Sequence, residues 1–107
     1  MSKGTVVLVP FPFTDLSGNK VRPALVLHTQ TRGDDCIVGF ISSVQKKPEK
    51  FDIFIAHSKS NGLKTDSIVK VEKIATLQKK IFIGELGSLE PAYMKEVDKK
   101  LKMLFSL

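Results

Sequence analysis

Tryptophan is absent, cysteine occurs once, tyrosine once, and histidine only at positions 28 and 57. The lone Cys36 excludes an internal disulfide framework and suits a reducing compartment. Its place in the apolar run CIVGFI marks it as a buried thiol rather than a reactive one. No apolar run approaches the ~18 residues that cross a bilayer. The opening MSKGTVVLVPFPF is broken by two prolines and lacks a small-residue cleavage site, so it reads as a first strand and not a signal peptide, and the protein is expected in the cytoplasm. CxxC and HExxH patterns are missing, and neither His28 nor His57 has a neighbour at ligand spacing, which excludes the common zinc arrangements. The segment LSGNK has a single glycine and no helix after it, so it is no phosphate loop, and there is no nucleophile elbow. Acids are scarce too: 17 Lys and Arg against 11 Asp and Glu give a net charge of +6. That balance favours an anionic partner such as nucleic acid, an acidic protein or a membrane surface.

What is present fits one domain spanning residues 1–107, with no repeat, linker or low-complexity tract. TVVLVPFPF reads as a strand whose end, with Pro10 and Pro12 unable to donate to a ladder, is an edge or a bend. DLSGNK is a loop. Val21–Leu27 is a second strand, in which Pro23 holds Arg22 extended. Cys36–Ile41 is apolar at every position, as in a central strand covered on both faces, and turns polar at Ser42 and Ser43. FDIFIA alternates, with Phe51, Ile53 and Ile55 on one face. SIVKVEKIA puts Val69 and Val71 on one side and Lys70 and Glu72 on the other. TLQKKIFIGEL fits a short helical turn followed by a short strand. The tail PAYMKEVDKKLKMLF is the one strong helix: Met94, Val97, Leu101 and Leu104 share a face, and Pro91 suits the first turn. Five or six short strands and a terminal helix predict a mainly β, SH3-like antiparallel barrel.

The residues that could carry chemistry sit in pairs. Lys20 and Arg22 are two apart and point to one side of an extended chain, as do Lys70 and Glu72. Ser42 stands where the central strand leaves its apolar run. A cation pair, a hydroxyl and a Lys/Glu pair around one groove could bind a phosphodiester and act on it. Each piece also has a plainer reading: a solvated turn, a salt-bridged outer face, a hydroxyl capping a strand end. Phe40, Phe51 and Phe54 read as core rather than as platforms for stacked bases.

Taken in order, GTVVLVPFPFTDLSGNKVRPALVL, IVGFIS and DSIVKVEKIATL resemble the MazF/PemK/Kid family of toxin endoribonucleases over nearly the whole chain. The resemblance implies a homodimeric barrel of the CcdB/Kid/MazF type that cleaves single-stranded RNA selectively by sequence, needs no metal or other cofactor, inhibits translation, and is neutralised by an acidic antitoxin. Carried over by position, it implies Arg22 of KVRPALV and Ser42 of GFIS as active-site residues, Glu72 of VKVEKI as general base and Lys70 as a cation beside it. Asn19, Lys20, Lys46, Lys47 and Lys73 are implied to contact RNA. Thr5, Lys73 and Ala75 depart from the family pattern, standing where members usually carry an acid, a glutamine and a cation.

The chemistry agrees with this set. RNA brings its own nucleophile in the 2′-hydroxyl, so the protein has only to accept that proton, stabilise the phosphorane and protonate the leaving 5′-oxygen. Arg22 stays charged at any physiological pH, which suits a bidentate phosphate clamp and not a base. Two competing functions share the fold: a gyrase-directed toxin of the CcdB type, and a non-catalytic relative that only binds RNA or antitoxin. RNA cleavage in the absence of any topoisomerase separates the first from the ribonuclease, and tight RNA binding without cleavage identifies the second.

Overall fold

The computed structural model describes residues 1–11, 20–44 and 46–107, apart from the side chain of Phe11. Six strands form one antiparallel sheet that curls into a half-barrel, and a single helix follows. The strands are β1 (Thr5–Phe11), β2 (Lys20–Thr29), β3 (Asp35–Ser43), β4 (Asp52–Ile55), β5 (Ser67–Gln78) and β6 (Gly84–Ser88), in the spatial order β4-β5-β3-β2-β1-β6. A 3-10 turn at Lys79–Ile81 joins β5 to β6, and α1 spans Pro91–Leu104. The expected mainly β fold with a terminal helix is observed. The strands run longer than their apolar stretches because β2, β3 and β5 continue into polar ends. The DLSGNK loop and Pro12 fall largely outside the described residues.

Alternation along the strands builds two cores. Val6, Leu25, Ile41, Ile53, Ile55, Val69 and Val71 form one, which α1 covers through Val97, with Met94, Leu101 and Leu104 packed against it. Val7, Val9, Ala24, Val26, Cys36, Val38 and Leu77 form the other. Adjacent residues such as Val6 and Val7, or Leu25 and Val26, thus serve opposite faces. Burial pushes the Cys36 thiol above its ordinary value, with Lys79 acting weakly against that shift, as befits an inert core thiol. Phe40 and Phe51 pack at the margins of the two cores, but Phe54 is 44 % exposed, contrary to the expectation for it. Since Ile53 and Ile55 face inward, period two turns Phe54 out. Among the described residues no helix is long and apolar enough to cross a membrane.

Prolines decide where ladders stop. Pro10 lies on the part of β1 beyond the last β6 pair, Leu8 with Gly84, where its missing N–H costs no bond to that neighbour. Pro23 stands one residue before the β2–β3 ladder, which begins at Ala24 opposite Phe40, and it has no N–H with which to extend it. Among the described residues, Lys20–Pro23 pairs only with β1 from there, while Ile41–Ser43 pairs only with β5. The two strands splay apart, and a cleft opens between them.

Candidate active site

Two connected hollows occupy this splay. The first, about 310 Å³, is lined by Arg22, Ser42, Ser43, Lys46, Asp52, Ile68 and Lys70. The second, about 260 Å³, shares Arg22, Ser42 and Ser43 and continues over an apolar floor that includes Leu8, Ile41 and Leu63. Each polar side chain arrives by a local rule. Arg22 is held extended by the following proline at the open end of β2. Ser42 lies near the end of β3, opposite Ile68 of β5. Lys70 pairs in register with Phe40 on one side and Asp52 on the other, which ties β5 to both neighbours at the level of the cleft.

Immediately after Lys70, β5 bulges. One step along β3, from Gly39 to Phe40, spans four along β5, from Ile74 to Lys70, so Val71, Glu72 and Lys73 have no β3 partner. Val71 turns into the core and its N–H donates to the Phe51 carbonyl at 3.1 Å, while Glu72 and Lys73 face solvent. The expected alternation holds through Glu72, with Val69 and Val71 buried and Lys70 and Glu72 on the other side, and it breaks at Lys73, which is exposed next to Glu72.

The structure therefore gathers Arg22, Ser42, Lys70 and Lys46 around one hollow. It does not bring Glu72 or Lys73 into that lining, and Lys20 and Lys47 stand exposed beyond it. Asn19 lies outside the described residues. The structure also adds an acid that the sequence reading passed over. Asp52 has a side chain only 3 % exposed, and its Oδ2 accepts from the Glu49 N–H at 2.9 Å and lies 3.4 Å from Lys70 Nζ. Burying a carboxylate is expensive unless it is paired and hydrogen-bonded, and Asp52 is both. Its signal in the sequence was faint: a single acid inside FDIFIA, whose partner 18 residues on is visible only once β4 and β5 are in register. Among the described residues no three His, Cys, Asp or Glu side chains come together in a way that could hold a metal ion. With three cations and one already engaged acid, the hollow suits an anion.

The far wall belongs to the loop between β4 and β5, which supplies Leu63, Lys64 and Thr65 to the second hollow. This loop is pinned by Asn61, which is fully buried. Asn61 Oδ1 accepts from the Ser58 and Leu63 N–H groups, and Nδ2 donates to the Ala56 carbonyl and to Glu90 at the start of α1. Gly62, at φ 72°, turns the chain directly against the Leu86 backbone, where any Cβ would collide. At the end of the loop, Asp66 accepts from His57 Nδ1 at 2.6 Å and from the His57 N–H at 3.1 Å. These bonds, the ring contact foremost, hold the Asp66 carboxyl below its ordinary value. A depressed folded value means stabilisation that is complete above about pH 4, the unfolded value, and is lost as pH falls through the folded one. The protection factor of the His57 amide, its exchange corrected for the intrinsic pH dependence, is accordingly expected to fall on acidification below about pH 4, before that of core amides such as Val69; a parallel fall at both would show that the pair does not govern the loop.

The chain is similar to several solved toxins. It aligns with an endoribonuclease from a Mycobacterial species solved with its cognate antitoxin at 21% identity and a TM-score of 0.73, covering 100% of this chain and 96% of that one. A MazF toxin of Mycobacterium tuberculosis matches at 16% identity and a TM-score of 0.77, covering 96% and 97%. MazF from the MazE–MazF complex of Deinococcus radiodurans matches at 20% identity and a TM-score of 0.78, covering 100% and 96%. At such identities these likenesses speak for the fold. Comparison with curated protein sequences finds no match. A family model does match, over residues 2–105, and on that match the chain belongs to the PemK-like, MazF-like toxins of type II toxin–antitoxin systems.

Proposed function

We propose that this toxin is a sequence-selective endoribonuclease that cleaves single-stranded RNA at the Arg22 cleft, with the RNA 2′-hydroxyl as nucleophile and without a metal ion. The observation that carries the reading is the convergence of Arg22, Ser42 and Lys70 from three different strands on one open, cation-lined hollow. Relatives named as endoribonucleases, among them one solved with its antitoxin, support it.

Arg22 clamps two phosphate oxygens and stays charged throughout. Lys70 and the Ser42 hydroxyl stabilise the charge that grows as the 2′-oxygen bonds to phosphorus and the bond to the 5′-oxygen breaks, the leaving 5′-oxygen taking its proton from water in the open cleft. Lys46, 74 % exposed at the rim, draws the backbone in, with Lys20, Lys47 and Lys73 extending the basic surface along its path. Asn19 belongs to the same proposed RNA surface by position. Asp52 is engaged by Lys70 and by the Glu49 amide, and Glu72, the base that the family resemblance implies, stands outside the lining and acts as base only by reaching the 2′-hydroxyl at the bound phosphate. Glu72→Gln is then expected to lower kcat by about 10²-fold. Full activity would take the base role from Glu72.

A homodimer and an acidic antitoxin, disordered in part until bound, complete the proposal, since carboxylates are the simplest block for a cationic cleft. The direct test is incubation of a long, mixed-sequence single-stranded RNA with purified protein in EDTA. Fragments from a limited set of sites are expected; intact RNA, or cleavage only after a divalent cation is added, contradicts the proposal.

A further inference from the structure

We propose that Asp52 is a positioning residue: it holds the Lys70 ammonium at the floor of the cleft, where the scissile phosphate is bound. This inference rests on the ribonuclease reading for its consequence, but not for the geometry that motivates it.

Asp52 opens β4 directly across from Lys70 on β5. Its carboxylate is held from behind by the Glu49 N–H, which donates to Oδ2 at 2.9 Å, and its backbone by the return bond from the Asp52 N–H to the Glu49 carbonyl at 3.0 Å. A carboxylate locked in this way is a fixed anchor. Lys70 is the opposite, a point charge on four rotatable carbons, and its side chain is still 28 % exposed. The groups facing it from other elements are Arg22 from β2, Lys46 after β3 and the hydroxyls of Ser42 and Ser43. Two cations repel the ammonium toward solvent, and the hydroxyls bind it weakly. Among the described residues that line the hollow, only Asp52, 3.4 Å away, draws it inward. The anchor thus runs from the Glu49 backbone through Asp52 to Lys70, and from Lys70 to the phosphate.

Asp52 also caps the chain entering β4, so a purely structural role must be separated from a positioning one. Asparagine does this, because it keeps an oxygen for the Glu49 amide and removes the charge that holds Lys70. Two measurements are made on wild type, Asp52→Asn and Asp52→Ala. The first is the side-chain ¹⁵N–¹H spectrum of the lysine ammonium groups. Wild type is expected to show an ordered Lys70 signal that Asp52→Asn loses, while the backbone amide spectrum and Tm stay close to wild type. The second is RNA cleavage, in which Asp52→Asn is expected to reduce kcat about 10–100-fold, because a displaced charge still attracts RNA but misses the transition state, and to change KM by less than about threefold. An unchanged Lys70 signal in Asp52→Asn overturns the proposal. So does wild-type kcat in Asp52→Asn with damage confined to Asp52→Ala, which marks a cap and nothing more. If Asp52→Asn does not fold, Asp52→Glu keeps the charge but moves it by one methylene: a lowered kcat at constant KM supports positioning, and an unaltered kcat and Lys70 signal contradict it. Absence of cleavage by wild type removes the ribonuclease reading, and the ammonium spectrum still decides the role of Asp52.

Discussion

Arg22→Ala is expected to lower kcat for RNA cleavage by about 10²–10³-fold, the usual loss when one preorganised donor to a transition-state oxyanion is removed. Arg22 stands at the open end of β2, outside both cores, on the rim that joins the two hollows. Its guanidinium presents a planar fork that matches two phosphate oxygens, and no other lining residue can copy that geometry. Lys46 and Lys70 remain in the variant, so KM is expected to rise by less than about tenfold, roughly the share of one cation among several phosphate contacts. Arg22→Lys restores the charge without the fork and is expected to recover only part of kcat. Because the residue is exposed, Tm should move by a few degrees at most. Cleavage by Arg22→Ala within about threefold of wild type, in material free of contaminating nuclease, would place the reaction elsewhere.

The largest stability effect is expected from Asn61→Ala. The substitution leaves the N–H groups of Ser58 and Leu63, the Ala56 carbonyl and one Glu90 oxygen without the side chain that satisfied them. Each buried polar group left unpaired costs about 1–3 kcal/mol. Some regain water because the loop edge is open, which brings the expected loss to about 3 kcal/mol. For a domain of this size that is roughly 12–20 °C in Tm. Leu63, Lys64 and Thr65 form a wall of the second hollow, so the loosened loop should also bind RNA less tightly than the parent. A Tm within about 3 °C of wild type would mean that water replaces the amide and that the network is not what holds the loop.

Much of this was legible in the chain. Alternation in FDIFIA and SIVKVEKIA, the continuous apolar run CIVGFI and the helical face through Met94, Val97, Leu101 and Leu104 all reflect burial that local period alone encodes. Arg-Pro at the head of an apolar strand made the extended backbone at Arg22 legible, while its place in a site was implied by the family resemblance and not by local pattern. Pairing between distant strands was not legible. The β5 bulge depends on how nine paired residues of β5 meet β3, and Glu72, on the bulged segment, stays outside the lining that Lys70 joins. The Asp52–Lys70 pair depends on the register of β4 against β5, and Asn61 on a loop that folds back onto β6 and α1. Period-two reasoning fails at a bulge because the extra residues reset the phase.

In the proposed reaction the RNA's own 2′-oxygen is the nucleophile and the cleft needs no metal to use it. Once a cleavage site has been mapped, the most direct measurement compares two short RNAs in EDTA that differ only at the nucleotide 5′ to the scissile phosphate, one carrying ribose and the other 2′-deoxyribose. The account predicts that the ribose strand is cut and the deoxy strand binds with similar affinity but stays intact. Cleavage of both strands at comparable rates would contradict it and require a nucleophile from water or from the protein.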